Sequence, residues 1–229
     1  VVEASQQWIC VRPATYENAE ESVVLERWLK GVRGGGGELR NTTFALLDPT
    51  GKNALTRTGR SPQMVYGDVA SFAAGLDTLA KKFEANGVAK TLPLVPNLRL
   101  GLNIAACDGI PLVAIIESKK RSWKKLFAHL VELSQSDALS GQAHYVVLKN
   151  SKELEVMEGY RPDQLIYVLK TDAFGVTGEV VATFKDTKTL SSVALEVEFS
   201  GARIEKDRSR QHVRQGRLEG ITWESGKVD

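Results

Sequence analysis

The seven residues Ile110–Ile116, IPLVAII, contain no charged and no polar side chain. A strand with one wet face alternates apolar and polar residues, so an unbroken apolar run of this length reads as a strand covered on both faces. The strand is placed at Pro111–Ile116. It leads into ESKKRSWKKL (Glu117–Leu126), where five of ten residues are basic. A helical stripe of Trp123, Leu126, Phe127, Leu130 and Val131 follows, on a helix at Trp123–Leu133. A buried strand that ends in a burst of cations and enters a helix marks a working edge of an α/β protein.

The rest of the chain supplies the partners such a strand needs. Ahead of it, LRLGLNIAACDG reads as a short helix. Behind it, Ala143–Leu148 is a second strand and SKELEVMEGY a short helix or loop. A hairpin follows, with strands near Leu165–Lys170 and Gly178–Phe184. In the first part, Trp8–Val11 reads as a strand stopped by Pro13, and ENAEESVVLERWLKGV as a helix with Glu17, Glu20 and Glu21 at the positive end of its dipole. A hairpin is expected at Thr42–Leu47 and Ala54–Arg57 around the turn Asp48-Pro49-Thr50-Gly51. A long helix then carries Val65, Val69, Phe72, Leu76, Leu79 and Phe83 on one face. Arg33–Gly37, RGGGG, is a linker; no GK[ST] follows it and no strand precedes it, as a phosphate loop would require. Asn41-Thr42-Thr43 matches a glycosylation acceptor, a pattern too common to carry weight.

Composition excludes more than it assigns. The chain of 229 residues is 42% hydrophobic and 25% charged with a formal charge of +2, which gives no electrostatic reason to expect nucleic acid or a membrane surface as partner. No run approaches the ~20 apolar residues of a membrane span. The opening VVEASQQ lacks the basic start and apolar core of a signal peptide. The missing initiator methionine points to trimming, so a removed export signal stays open. Two cysteines, Cys10 and Cys107, make neither a disulfide framework nor a CxxC pair. His129, His144 and His212 lack the spacing of a shared metal site, and neither a metal nor another cofactor is expected.

Across Arg99–Phe184 this order of elements resembles the thioredoxin fold of bacterial thioredoxin-like proteins, with NIAACDGIPLVAIIESKKRSWKKLFAHLV as the family's opening helix, strand and active-site helix. In that family the strand leads into Cys-x-x-Cys, often Cys-Pro-Trp-Cys, followed by lysine. The matching residues here are Arg121, Ser122, Trp123 and Lys124, followed by Lys125. The proline that faces the family's active site, a cis-proline, is matched by Pro162 in YRPDQL. Trp8–Phe83 similarly resembles the second half of such a fold. The resemblance implies an α/β protein of two thioredoxin-like βαββα units with mixed sheets flanked by helices, plus a charged C-terminal extension. The units are residues 1–88, incomplete at the N-terminus, and 98–200, with a linker at 89–97 and the extension at 201–229. Arg203–Arg217 in the extension carries six Lys/Arg against two Asp/Glu. It reads as a solvated helix or arm, or as an arm that docks on an acidic partner or a second copy.

The same resemblance argues against the family's chemistry. Dithiol–disulfide exchange needs an attacking and a resolving thiol at a helix N-terminus, and Arg121 and Lys124 supply neither. Three readings follow. The first is a non-catalytic binding or structural module acting through a protein partner or self-association. The second is a single-cysteine thiol oxidoreductase or peroxidase-like enzyme using Cys10. WICV reads as a central strand where the thiol is packed and inert, so this second reading requires Cys10 to be exposed, with Arg12 on the same face. The third is an anion or acidic-peptide site at Arg121, Lys124 and Lys125, set against cations that merely keep a loop solvated. The resemblance places the protein in a bacterial cytoplasm, or outside it after removal of a signal.

Overall fold

Leu112, Val113, Ala114 and Ile115 are all essentially inaccessible to solvent, and they alternate between two cores on opposite faces of one sheet. In the computed structural model, which describes residues 1–5, 7–11, 13, 19–29, 44–83, 91–118, 121–204 and 210–221, the chain divides into two units. Unit 1 is Val1–Val88 with Trp223–Asp229, and unit 2 is Ala89–Thr222.

Unit 2 is a mixed α/β layer structure. Its elements are β1 (Leu94–Val95), α5 (Leu98–Asp108), β2 (Leu112–Ile116), α6 (Arg121–Ser134), β3 (His144–Leu148), a 3-10 turn (Ser151–Val156), β4 (Met157–Glu158), β5 (Ile166–Thr171), β6 (Gly178–Phe184), α7 (Ser192–Gly201) and α8 (Arg210–Leu218); α1–α4 belong to unit 1. The six strands lie in the order β1-β3-β2-β5-β6-β4. β3 runs parallel to both β1 and β2, and β5 runs antiparallel to β2 and β6. Parallel neighbours need crossover connections, which α5 and α6 provide.

The period of two in β2 and β5 sorts their side chains between the layers. Leu112, Ala114, Tyr167 and Leu169 pack with Leu98, Leu102 and Ala105 of α5. Val113, Ile115, Ile166 and Val168 pack with Leu126, Leu130 and Val131 of α6 and Leu195 and Phe199 of α7. Asn97 caps α5 by accepting from Leu100 N at 2.9 Å, and Gly109 closes it in the left-handed region at φ 70°. Gly101 lets α5 approach the sheet: a Cβ there would lie 3.0 Å from Leu112 and Val95 side-chain atoms. β1 lies inside the stretch expected to be a linker, where Leu94 and Val95 pair with Tyr145 and Val146. Within the charged C-terminal stretch, α8 sits with Gly216 against the ring of Phe174, which a Cβ would approach to 2.9 Å.

Unit 1 contains α1 (Val2–Ser5), α2 (Ala19–Leu29), α3 (Pro62–Tyr66) and α4 (Val69–Ala80), and its small core of Ala4, Leu46, Leu76 and Leu79 is drawn from α1, α4 and the segment before α3. Trp8–Val11 is not a strand. Ile9 and Val11 are 75% and 77% exposed, with no strand among the described residues to pair their backbone. The hairpin around Asp48 is reduced to two isolated bridges, Phe44 with Gly59 and Leu47 with Ala54. Its turn is nevertheless well built. The Asp48 carboxylate accepts from the Asn53 and Thr50 side chains at 2.7 and 2.8 Å, and these hold its pKa down to about 2. The long helix expected through Val65–Phe83 is broken. Gly67 ends α3 at φ 83°, and Asp68 caps α4 by accepting from Ser71 N at 2.8 Å. Among the described residues of unit 1 no strand forms beyond the two bridges. Glu17, Arg33–Gly37 and the acceptor pattern at Asn41–Thr43 lie outside the described residues.

Candidate functional site

The carboxyl end of β2 is held on both sides. Ile116 N donates to Leu165 O at 2.9 Å, and Glu117 N donates to Leu148 O at 2.8 Å. This pins the strand end between β3 and the β5–β6 hairpin just before α6 begins at Arg121. Residues 119–120 and the side chains of Arg121 and Ser122 lie outside the described residues. Leu126 and Leu130 face the core, so α6 presents Lys124 and Lys125 to solvent on its first turn. Trp123 stacks on Phe127, one turn further on, with ring centroids 5.2 Å apart and planes 19° from parallel. Its indole N–H is buried without a partner among the described residues. Trp123 therefore packs along the helix, and the two lysines carry the charge.

The topology brings further cations to this end of the sheet that the linear sequence does not associate. Lys149 follows the carboxyl end of β3, Arg161 lies in the loop before β5, and Lys185 follows the end of β6; all three are exposed. Glu117, Asp163 and Asp186 are acidic residues interspersed among them. The loop with Pro162 also lies here, braced by Tyr167, whose hydroxyl donates to Arg161 O at 2.8 Å. Pro162 is exposed and its peptide bond is trans, as are all those described. The cis-proline expected at this position is not formed. The left-handed residue beside it is Asp163, at φ 69°.

The opposite end of the sheet is acidic. A shallow groove of ≈ 540 Å³ there is lined by Glu155, Glu158, Lys170, Asp172 and Glu179, among others. Two of these carboxylates have local work. Glu179 pairs with Lys170 at 3.2 Å, and Asp172 holds the β5–β6 turn by accepting from Val176 N at 2.8 Å. Unit 2 thus carries cations at the carboxyl ends of β2 and β3 and carboxylates at the other end.

The cysteines are separate. Cys10 is exposed in unit 1 and belongs to no strand, and Arg12 lies outside the described residues. Cys107 is half-buried on α5. His144 Nε2 lies 2.9 Å from Asp108 Oδ2, and His129 Nε2 lies 3.0 Å from Leu190 O; the side chain of His212 is outside the described residues. No group of three His, Cys, Asp or Glu able to hold a metal occurs among the described residues, and no described helix is long and apolar enough to cross a membrane.

The chain matches no protein-family model, no curated protein and no solved structure at significance.

Proposed function

We propose that residues 89–222 form a thioredoxin-like module that binds an anionic segment of a protein partner and does not exchange disulfides. The observation that carries the reading is the junction of β2 with α6. A buried central strand delivers the chain to a helix start where the family places two thiols and this chain places Arg121 and Lys124. The element order that motivates the resemblance is supported by a parallel β1-β3-β2 arrangement, an antiparallel β5–β6 hairpin beside β2 and a closing helix α7. A helix N-terminus favours anions through its unsatisfied N–H groups, and exposed Lys124, Lys125, Lys149, Arg161 and Lys185 give the same end positive charge. Such clusters steer acidic partners and set their on-rate more than their final affinity.

An insulin-reduction assay driven by an external dithiol is expected to give no turnover above the reductant alone. Turnover that disappears on replacing Cys10 or Cys107 by serine overturns the reading. The anionic part is tested separately by titrating a poly-glutamate peptide at low salt. Arg121→Ala/Lys124→Ala should weaken binding about tenfold, and unchanged affinity removes this end of the sheet as the docking surface.

The exposure of Cys10 favours a second reading, in which Cys10 is a single-cysteine nucleophile relying on an external thiol as resolver. Under native conditions Cys10 is expected to react with iodoacetamide well ahead of the half-buried Cys107. Labelling as fast as a free thiol with a low pKa supports the nucleophile, because the thiolate is the reacting species. Labelling only after denaturation eliminates it.

A further inference from the structure

β4 pairs with β6 at Gly178 and Glu179, and the residues beyond, Val180–Phe184, have no strand partner on that side among the described residues. They include no proline and no charge, two of the usual guards of an exposed edge. Two hydrogen bonds to the β5 side fix which backbone groups this edge turns outward. Asp172 N donates to Thr177 O at 2.9 Å, and Leu165 N donates to Phe184 O at 3.1 Å, so Thr177 and Phe184 face β5. The N–H and C=O of one residue point the same way, and successive residues alternate. Counting forward from Thr177 turns Val180 outward. Counting back from Phe184 turns Ala182 inward and Thr183 outward. The two counts differ by one residue, and the bulge absorbs the difference: Leu169 faces Val180 and Val168 faces Ala182, which leaves Val181 as the extra residue. Lys185, next after Phe184, turns outward again.

We propose that this edge joins unit 2 to a second copy of the chain, antiparallel about a two-fold axis at Thr183. In that register the Thr183 residues of the two copies face each other and exchange N–H···O=C bonds. The bulge lets Val180–Thr183 match the span of Thr183–Lys185 in the other copy, so the Lys185 N–H meets the Val180 C=O at both ends. A register shifted towards β4 drives Lys185 of the other copy into β4, and one shifted away leaves Val180 unpaired. Charge selects the same orientation. Antiparallel pairing lays the cationic end of each sheet against the acidic end of the other, with Lys185 arriving at the end of β4 beside Glu158 and Glu179, all three exposed. Parallel pairing would bring like ends together. The contact is isologous and closes at two copies. It joins one pair of short strands, much less than a standard interface, and a dissociation constant of about 100 µM is expected.

The test is analytical ultracentrifugation of the full chain from about 5 to about 500 µM, a range that brackets the expected constant. A monomer–dimer equilibrium that weakens as salt rises is expected. Thr183→Pro removes an N–H that points away from β5, a position where an edge strand tolerates proline. It should weaken dimerisation by roughly tenfold or more while keeping the parent's circular dichroism. Lys185→Glu sets like charges together at the end of β4 and should weaken it by about fivefold; this variant carries the test if Thr183→Pro does not fold. A chain that stays monomeric at about 500 µM overturns the proposal. Dimerisation at the parent's strength in Lys185→Glu, or in a folded Thr183→Pro, does so as well. Association beyond two copies overturns the closed pairing.

Discussion

Placing cysteine at both Arg121 and Lys124, in a chain whose own two cysteines are serine, should create a disulfide and a dithiol-exchange activity that the parent is expected to lack. Residues three apart on a helix lie about 5–6 Å apart at Cβ. A disulfide tolerates Cα separations of ~4.4–6.8 Å and a Cβ separation near 4 Å, so a small relaxation of the first helical turn closes the bond. At the start of α6 the new thiols meet unsatisfied backbone N–H groups, and Lys125 follows directly. Both lower a thiol pKa from ~8.5 towards ~7. Insulin reduction should rise from background to steady turnover, and the oxidised variant should show no thiol reactive to alkylation. A variant that forms the disulfide without turnover would show that the β2–α6 junction lacks the surroundings of a thioredoxin-like site. The cationic end of the sheet would then stand on its own as the docking surface.

The second large effect is expected at Gly178, where β6 begins between β4 and β5. A Cβ at this position would lie 2.1 Å from the carbonyl oxygen of Lys170 and 2.8 Å from Thr171 Cα. Both obstacles are backbone, so no rotamer relieves the clash. The β5–β6 pairing itself must open, and it anchors the strand next to β2. Gly178→Ala should therefore cost about 3 kcal/mol or more, at or beyond the upper end of ordinary overpacking. Gly141→Ala is the control. Gly141 is in the left-handed region at φ 70° with nothing within 4 Å of its would-be Cβ, so the cost there is limited to the ~1–2 kcal/mol of left-handed backbone. Urea unfolding of the two variants compares them directly. A Gly178→Ala protein as stable as Gly141→Ala would mean that the strands separate at this corner without cost.

The parts of unit 2 that the sequence announces are those where one residue's burial dictates its neighbours. Ile110–Ile116 has no alternation because β2 is covered on both faces, and Leu126 and Leu130 mark the inward face of α6 through their helical spacing. The β5–β6 hairpin is legible for the same reason, being two apolar runs around a turn that Asp172 holds. Other features lack such a signal. β1 is two residues in a proline-bracketed stretch, and it exists only because β3 offers an edge. α7 leaves Val193 and Val197 67% and 64% exposed, so its apolar residues encircle the helix and draw no stripe. Trp8–Val11 has strand-forming residues but no partner strand among the described residues, and propensity without a partner does not make a sheet. At the candidate site, Lys124 and Lys125 could be read from the sequence. Lys149, Arg161 and Lys185 could not, since only the strand order brings them to one end.

The two strands that border the sheet are each only two residues long, and this bears on how the protein behaves when concentrated. β4 leaves β6 at Gly159, which turns away at φ 73°, and the neighbouring β5–β6 ladder slips register between Val168 and Leu169. β4 covers only Gly178 and Glu179 of β6, so the outer edge of Val180–Phe184 has no strand partner among the described residues, and the bulge beside it is the feature that bends this edge away from a flat template. The run VVATF (Val180–Phe184), apolar and β-prone, is therefore where a second chain is expected to add to this sheet when the protein is concentrated.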